Sequence, residues 1–128
     1  MALTLSTTMR NAIADQVDAT INAGGGAGFL EFRTSADVEV ATITFDATAF
    51  GSASAGVITM ASAPKSDTNA TGGTMDDFVI RDNGSPSVLL ISGTVGTSGQ
   101  DINFAGGLTV GAGDTVELTS FTITCPAS

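Results

Sequence analysis

The clearest pattern in the chain is an apolar repeat of four residues near the N-terminus, within STTMRNAIADQVDATINA. Wound as a helix, this run places its larger apolar side chains on one face: Met9, Ile13, Val17 and Ile21. Ser6 is a residue type that favours the N-cap, so we predict a helix over residues 6–23. The apolar face is expected to pack on the core, and the polar positions to face water: Asn11, Asp15, Asp18 and Asn22.

After Gly28 the apolar spacing changes from four residues to two, which is typical of strands. The strand candidates, separated by glycine-rich turn signals, are GFLEFRT, DVEVATITF, GVITMAS, DDFVIRD, SVLLISGTV, DINFAG and DTVELTSFTITC. The alternation slips near Ala41–Thr42 and again after Leu118, which predicts a bulge or a change of partner sheet. SVLLIS is apolar on both faces and is therefore the predicted central strand.

These segments predict a single, mainly β domain over residues 1–128. The predicted fold class is an antiparallel β-sandwich, jelly-roll-like, with one N-terminal amphipathic α-helix. Residues 1–5 form an N-terminal arm, residues 6–23 the helix and residues 28–125 the sandwich. The polar segment 62–75 is predicted to be a mobile surface loop.

The charge balance argues against two classes of partner. The chain carries thirteen acidic and four basic residues, a formal net charge of −9. The four basic residues are scattered along the sequence: Arg10, Arg33, Lys65 and Arg81. Nucleic acid and anionic membranes both require clustered basic side chains, so we expect neither as a partner. No apolar run is long enough to span a membrane, and MALTLSTTMR lacks the pattern of a signal peptide.

The glycine cluster in INAGGGAGFLEFRT is the one stretch that suggests phosphate binding. A dinucleotide fingerprint needs G-x-G-x-x-G between a strand and a following helix. Gly24 and Gly26 fit, but Phe29 occupies the third position and the helix comes first. The C-terminal end of a helix repels anions. We therefore predict that Gly24 ends the helix in the left-handed conformation and that the glycines only turn the chain.

Little remains that could carry chemistry. Histidine is absent, which excludes Ser–His and Cys–His catalysis and histidine-based zinc sites. Cys125 is expected to be a half-buried strand residue without basic neighbours. Several carboxylates could serve as acid, base or calcium ligands, but are better explained as solvated turn residues: Asp76, Asp77, Asp82, Asp101, Asp114 and Glu117. We expect no catalytic, cofactor-binding or metal-binding residue, no small-molecule substrate and no enzyme activity.

The N-terminal MALTL has two interpretations that the sequence leaves open. Its leucines either pack onto the helix as a hydrophobic staple or form an arm that adds to a neighbour's sheet edge. On the second interpretation, the residues predicted to contact a partner are Met1, Leu3, Leu5 and Met9.

The N-terminal quarter, MALTLSTTMRNAIADQVDATINAGGGAGFLEFRT, together with the closing ELTSFTIT, resembles a group of small virion proteins of tailed bacteriophages and prophages. The resemblance implies a structural role near the phage head, as a decoration or cement protein on the outer capsid. The implied partners are the major capsid protein and copies of the chain itself, as a trimer or a dimer. The implied location is the capsid surface of the virion, after synthesis in the host bacterial cytoplasm. No catalytic residues follow from it.

Two alternatives remain open at the level of sequence. The first is a tail or head-completion protein, for which segment 62–75 would order on assembly. The second is a calcium-dependent carbohydrate-binding module for host attachment, using Asp76 or Asp82 as ligands.

Overall fold

The computed structural model describes residues 3–127, which form mainly strands and one N-terminal helix. This confirms the predicted mainly β class. The helix α1 is Thr7–Ile21, and the strands in chain order are β1 Phe29–Arg33, β2 Glu39–Thr44, β3 Val57–Thr59, β4 Lys65–Asp67, β5 Gly73–Thr74, β6 Asp77–Arg81, β7 Leu89–Gly96, β8 Ile102–Asn103, β9 Thr109–Val110, β10 Val116–Leu118 and β11 Thr122–Thr124.

Five strands form a mixed sheet in the order β2-β1-β6-β7-β8. Its pairs are antiparallel except β7 with β8, which run parallel. The other strands form three antiparallel two-stranded ladders, β4 with β10, β3 with β11 and β5 with β9. The central strand is β6 and not the predicted SVLLIS run. That run forms the start of β7, which meets β8 only at Val95 and Gly96, and its Leu89 is 44% exposed.

Both predicted slips in the alternation have a structural cause. In β2, Ala41 pairs with Phe32 and Glu39 pairs with Arg33, so Val40 is the extra residue of a bulge. Because of this bulge, Val40 and Ala41 are both buried although they are adjacent. Near the C-terminus, the slip separates β10 from β11, which pair with different strands.

Segment 62–75, predicted to be a mobile surface loop, is not a loop throughout, because it contains β4 and β5. Strand β4 is polar, but its backbone pairs with β10, with Asp67 opposite Val116. The Asp67 carboxylate also accepts a hydrogen bond from the backbone N–H of Thr42 at 2.9 Å. The polar composition of β4 does not predict a strand, because the contacts that stabilise β4 come from residues distant in the sequence.

The core is built from buried residues of the five-stranded sheet, the ladders, the segments between them and α1. Its largest fully buried side chains include Phe32, Phe50, Leu30, Ile43, Ile58 and Ile80. Phenylalanine rings pack against one another in this core, with ring centroids 5.4 Å apart for Phe32 and Phe104 and 5.8 Å apart for Phe78 and Phe121. Such edge-to-face pairs stabilise a core beyond the area that they bury.

Candidate functional site

The helix α1 presents its polar face, and not its apolar face, to a neighbouring segment of the same chain, residues 49–56. Four side-chain oxygens on this face accept hydrogen bonds from backbone N–H groups of residues 49–56. The bonds run from Ala49 to Asn22 at 3.1 Å, from Phe50 to Asp18 at 2.9 Å, from Ala53 to Asp15 at 2.8 Å and from Gly56 to Asn11 at 2.8 Å. We call these four side chains the polar ladder. The prediction that these residues face water is therefore wrong for Asn11, Asp18 and Asn22, which are half-buried, whereas Asp15 is exposed as predicted and still accepts its hydrogen bond.

The physical reason for this correction is the segment that lies against the helix. Residues 49–56 are mostly irregular, so several of their N–H groups lack a strand partner and need acceptors when they pack against α1. Carboxylate and amide oxygens spaced four, three and four residues apart lie along one helical face and supply those acceptors. Arg10 extends the attachment, because its Nε donates to the carbonyl of Cys125 at 2.9 Å and its guanidinium also donates to the carbonyl of Ala55 at 2.8 Å.

As a result, most of the predicted core face of α1 lies at the surface. Met9 is 51% exposed and Ile13 is 40% exposed, whereas only Ile21 of the predicted stripe is fully buried. A groove of about 340 Å³ separates this face from β7. We call it the α1–β7 groove, and it is lined mainly by Ile13, Gln16, Val17 and Thr20 of α1 and by Leu90 and Ile91 of β7. None of its lining residues is charged.

The predicted N-terminal interface residues that the structure describes differ in their exposure to solvent. Leu3 is 82% exposed, and Met9 is half exposed at the start of α1. Leu5 is half-buried, and its N–H donates to the carbonyl of Ala127 at 2.6 Å, so the arm is attached to the C-terminal segment from this point. Met1 lies outside the described residues. Whether these residues bind a partner stays a prediction.

The glycine cluster caps the helix differently from the prediction. Asn22 is the C-cap, and its N–H donates to the carbonyl of Asp18 at 3.1 Å. The left-handed residue is Gly25, with φ 89°, and not Gly24. Gly24 instead lies against the backbone of the β6–β7 loop. A Cβ at Gly24 would be 2.5 Å from the nitrogen of Gly84 and 2.6 Å from that of Asn83. The cluster therefore serves close packing as well as the turn.

The candidate carboxylates are spread over several contacts. Asp76 and Asp82 flank β6 as predicted, and Asp77 forms an ion pair with Arg33 at 3.0 Å. Asp101 and Glu117 line an open cleft of about 500 Å³. Asp101 accepts hydrogen bonds from the N–H of Thr94 at 2.9 Å and from its hydroxyl at 3.1 Å.

Asp114 and Glu117 line a smaller adjoining groove, in which the Asp114 carboxylate accepts the N–H of Gly111 at 2.9 Å. Within residues 3–127, no three metal-ligating side chains come together. Three of the six candidate carboxylates, those of Asp82, Asp101 and Asp114, accept hydrogen bonds from backbone N–H groups, which is a structural use.

Asp82 has a pKa below its ordinary value of 3.8, because its carboxylate accepts the N–H groups of Val88 and Gly84. The folded-state pKa is thus below the unfolded one, so the ionised group stabilises the fold above about pH 4, and this contribution is lost as the pH falls through the folded-state pKa. We predict that Asp82→Asn lowers the free energy of unfolding at pH 7, and that this difference shrinks as the pH falls below about 4. Urea titrations of both proteins across this range would measure the difference, and a difference independent of pH would contradict the prediction.

Cys125 is half-buried as predicted, but it follows β11 rather than belonging to the strand, and it has a basic neighbour in Arg10. Its backbone is more engaged than its thiol. The backbone N–H of Cys125 donates to the carbonyl of Gly56 at 2.7 Å, and the carbonyl of Cys125 accepts the hydrogen bond from Arg10. The residue therefore fastens the C-terminal segment to the loop beside α1.

The sequence interpretation missed the polar ladder, although a signal for it was present. Asp18 stands in the last turn of α1, where a carboxylate opposes the helix dipole. An acid placed there against the dipole indicates that its oxygens have a specific donor.

The described part of the chain has no helix of the length and apolar character that crossing a bilayer requires. No protein-family model, curated protein or solved structure matches this chain.

Proposed function

We propose that this protein is a structural component of a tailed-bacteriophage virion. In this proposal it is a capsid decoration or cement protein that binds the outer surface of the major capsid protein shell and stabilises the head. It is made in the cytoplasm of the bacterial host and acts by binding, without catalysis or a cofactor.

The observation that carries the proposal is the exposed apolar surface of the N-terminal quarter. Six large apolar side chains are strongly exposed in the described chain, and three of them lie within the first thirteen residues: Leu3, Met9 and Ile13. This quarter is also the one that resembles virion proteins. An exposed apolar cluster on a small acidic protein is typical of a contact surface. On a symmetric shell, many copies allow weak individual contacts to act together.

The proposed architecture is a jelly-roll-like sandwich, antiparallel except for the pair β7 and β8, in which the ladders form the second layer opposite the five-stranded sheet. Supporting this, the ring of Phe121, beside β11, is 5.8 Å from that of Phe78 in β6 and 6.1 Å from that of Phe50. Apolar side chains from both groups of strands thus share one core. An experimental structure with the ladders beside the sheet, rather than across the core, would contradict this arrangement.

Co-sedimentation with undecorated phage heads tests the function. We expect saturable binding of on the order of hundreds of copies per head, the number that a decorated shell requires. Replacing Leu3 with Asp should weaken binding at least about tenfold, because a carboxylate would have to be desolvated in an apolar contact. Val38→Asp is the matched control, since Val38 is 57% exposed on the β1–β2 turn and is not one of the exposed apolar residues within the first thirteen.

Other outcomes of this experiment contradict the proposal in different ways. Binding of about six or twelve copies per particle would move the protein to the portal or tail, where rings of that symmetry occur. Absence of binding would exclude the shell as the partner. Equal effects of Leu3→Asp and Val38→Asp would show that the N-terminal quarter is not the contact surface.

A further inference from the structure

We infer that the α1–β7 groove is the contact surface for a second copy of this chain, and that the two copies form a twofold dimer with α1 packed against its symmetry mate. The inference rests on the proposed function in its self-association part, because it names the surface that copies of the chain use on each other. It does not depend on binding to the shell, because the shell contact is tested at Leu3 of the N-terminal arm, whereas the copies meet through the face of α1 that carries Met9 and Ile13.

The first argument is the distribution of charge. Each copy carries a formal net charge of −9, so two copies repel wherever their carboxylates face each other. The α1–β7 groove is lined by uncharged residues. The polar ladder contributes to this, because Asp15 and Asp18 direct their carboxylates to the N–H groups of Ala53 and Phe50. The same rotation of α1 that satisfies those donors thus leaves a neutral apolar face at the surface.

The second argument concerns which surface of another copy could match the groove. The strongly exposed large apolar side chains of the described chain are Leu3, Met9, Ile13, Val38, Val88 and Leu89. Met9 and Ile13 belong to the exposed face of α1, and Val88 and Leu89 lead directly into the groove strand β7. Val38 stands alone on the β1–β2 turn. The best apolar match for this face is therefore the same face of another copy, and a self-matching contact closes about a twofold axis.

The third argument is that the polar positions of the groove suit a symmetric contact. Gln16 and Thr20 lie one turn apart on α1 and are exposed beside the apolar side chains. Gln16 carries both a donor and an acceptor, so it can pair with its equivalent on a copy, whereas the Thr20 hydroxyl donates to the carbonyl of Gln16 at 2.8 Å and offers a partner an acceptor. In a free monomer, the Gln16 amide is bonded to the Thr20 hydroxyl at 3.3 Å, a long bond that a partner can replace.

The size of the face indicates a weak dimer. Fifteen helical residues span roughly 22 Å, and packed helices lie about 8–10 Å apart. The contact therefore falls toward the small end of specific interfaces, with a dissociation constant on the order of micromolar. A dimer of this strength forms at high local concentration and dissociates on dilution.

Sedimentation equilibrium over roughly 1 to 200 µM, which brackets a micromolar constant, tests the inference without phage heads. We expect the mass to rise from one copy of 12.7 kDa toward two copies for the wild type. Ile13→Glu should stay monomeric over the whole range, because the introduced charge would face its own symmetry mate. Val38→Glu, an equivalent change outside the face, should dimerise as the wild type does. Circular dichroism and thermal unfolding of both variants verify that they are folded.

A second measurement locates the contact. In a Cys125→Ser background, Gln16→Cys should form a disulfide-linked dimer under mild oxidation, whereas Ser35→Cys on the β1–β2 turn should not. A wild type that stays monomeric, a wild type that reaches three copies, or an Ile13→Glu variant that dimerises normally would each overturn the inference. Since heads are absent, failure here leaves shell binding untouched, and failure to bind heads leaves the dimer untouched.

Discussion

Replacing Gly24 with alanine should destabilise the fold by about 3 kcal/mol, the upper part of the range for overpacking a tight contact. A Cβ at this position would lie 2.5 Å from the nitrogen of Gly84 and 2.6 and 2.7 Å from two backbone atoms of Asn83. Backbone atoms cannot rotate away as a flexible side chain can, so the β6–β7 loop or the end of α1 must move. Thermal and urea unfolding of the wild type and the variant measure the loss.

Two other glycines provide matched controls for this experiment. Gly25 has open space around the Cβ position but a φ of 89°, so Gly25→Ala isolates the cost of the left-handed backbone, about 1–2 kcal/mol. Gly106 has neither a close neighbour nor a positive φ, and Gly106→Ala should change stability by less than about 0.5 kcal/mol. If Gly24→Ala were as mild as Gly106→Ala, the contact between the glycine turn and the β6–β7 loop would be wrong.

This contact also fixes the geometry of the α1–β7 groove. Gly24 follows the C-cap of α1, and Asn83 and Gly84 belong to the loop that leads into β7. The distance between the end of the helix and the start of the strand is therefore set at one tight backbone contact. We expect Gly24→Ala to weaken dimerisation as well as stability, because both walls of the groove depend on it.

Much of the local structure was predictable because its causes are local. Ser6 caps α1 through its hydroxyl, which accepts the N–H of Met9 at 3.2 Å, as its residue type suggested. The alternating runs gave β1, β2 and β6, and the slip near Ala41 corresponds to the bulge at Val40. In each case the signal lies within a few residues of the feature that it predicts.

The orientation of α1 was not predictable from periodicity alone. A helix with one apolar and one polar stripe normally buries the apolar one, and this rule assigned Met9 and Ile13 to the core. The rule fails here because the neighbour of α1 is an irregular segment with free N–H donors and not a hydrophobic sheet. Which segment lies against a helix depends on tertiary contacts, here between residues 27 to 45 positions apart, and those are not visible in a local pattern.

Strand β4 is a second element that the local sequence pattern does not predict. Lys65, Ser66 and Asp67 have little strand character, and their pairing with β10 joins residues about fifty positions apart. Lys65 is further held by an ion pair with Asp46 at 2.6 Å. Long-range backbone pairing and one ion pair thus determine a strand whose own side chains argue against it.

Replacing Asp18 with alanine should lower the free energy of unfolding by about 1–3 kcal/mol, the cost of leaving buried polar groups without a partner. The Asp18 carboxylate accepts two hydrogen bonds through Oδ1, from the N–H of Phe50 at 2.9 Å and from the amide of Asn22 at 3.0 Å. Phe50 is 1% exposed, so water reaches its N–H poorly once the acceptor is removed. Amide hydrogen exchange should report the change locally, as faster exchange at Phe50.

Asp18→Asn is the control that separates the acceptor from the charge. The asparagine oxygen can accept the Phe50 N–H in the same position, so the bond to the β2–β3 segment is retained. The negative charge in the last turn of α1, which opposes the helix dipole, is removed, and that change favours the helix by about 0.3–1 kcal/mol. We therefore expect Asp18→Asn to be neutral or slightly stabilising while Asp18→Ala is clearly destabilising. Equal losses for the two variants would mean that the carboxylate acts through its charge, and the polar ladder would then not be what holds α1 in its orientation.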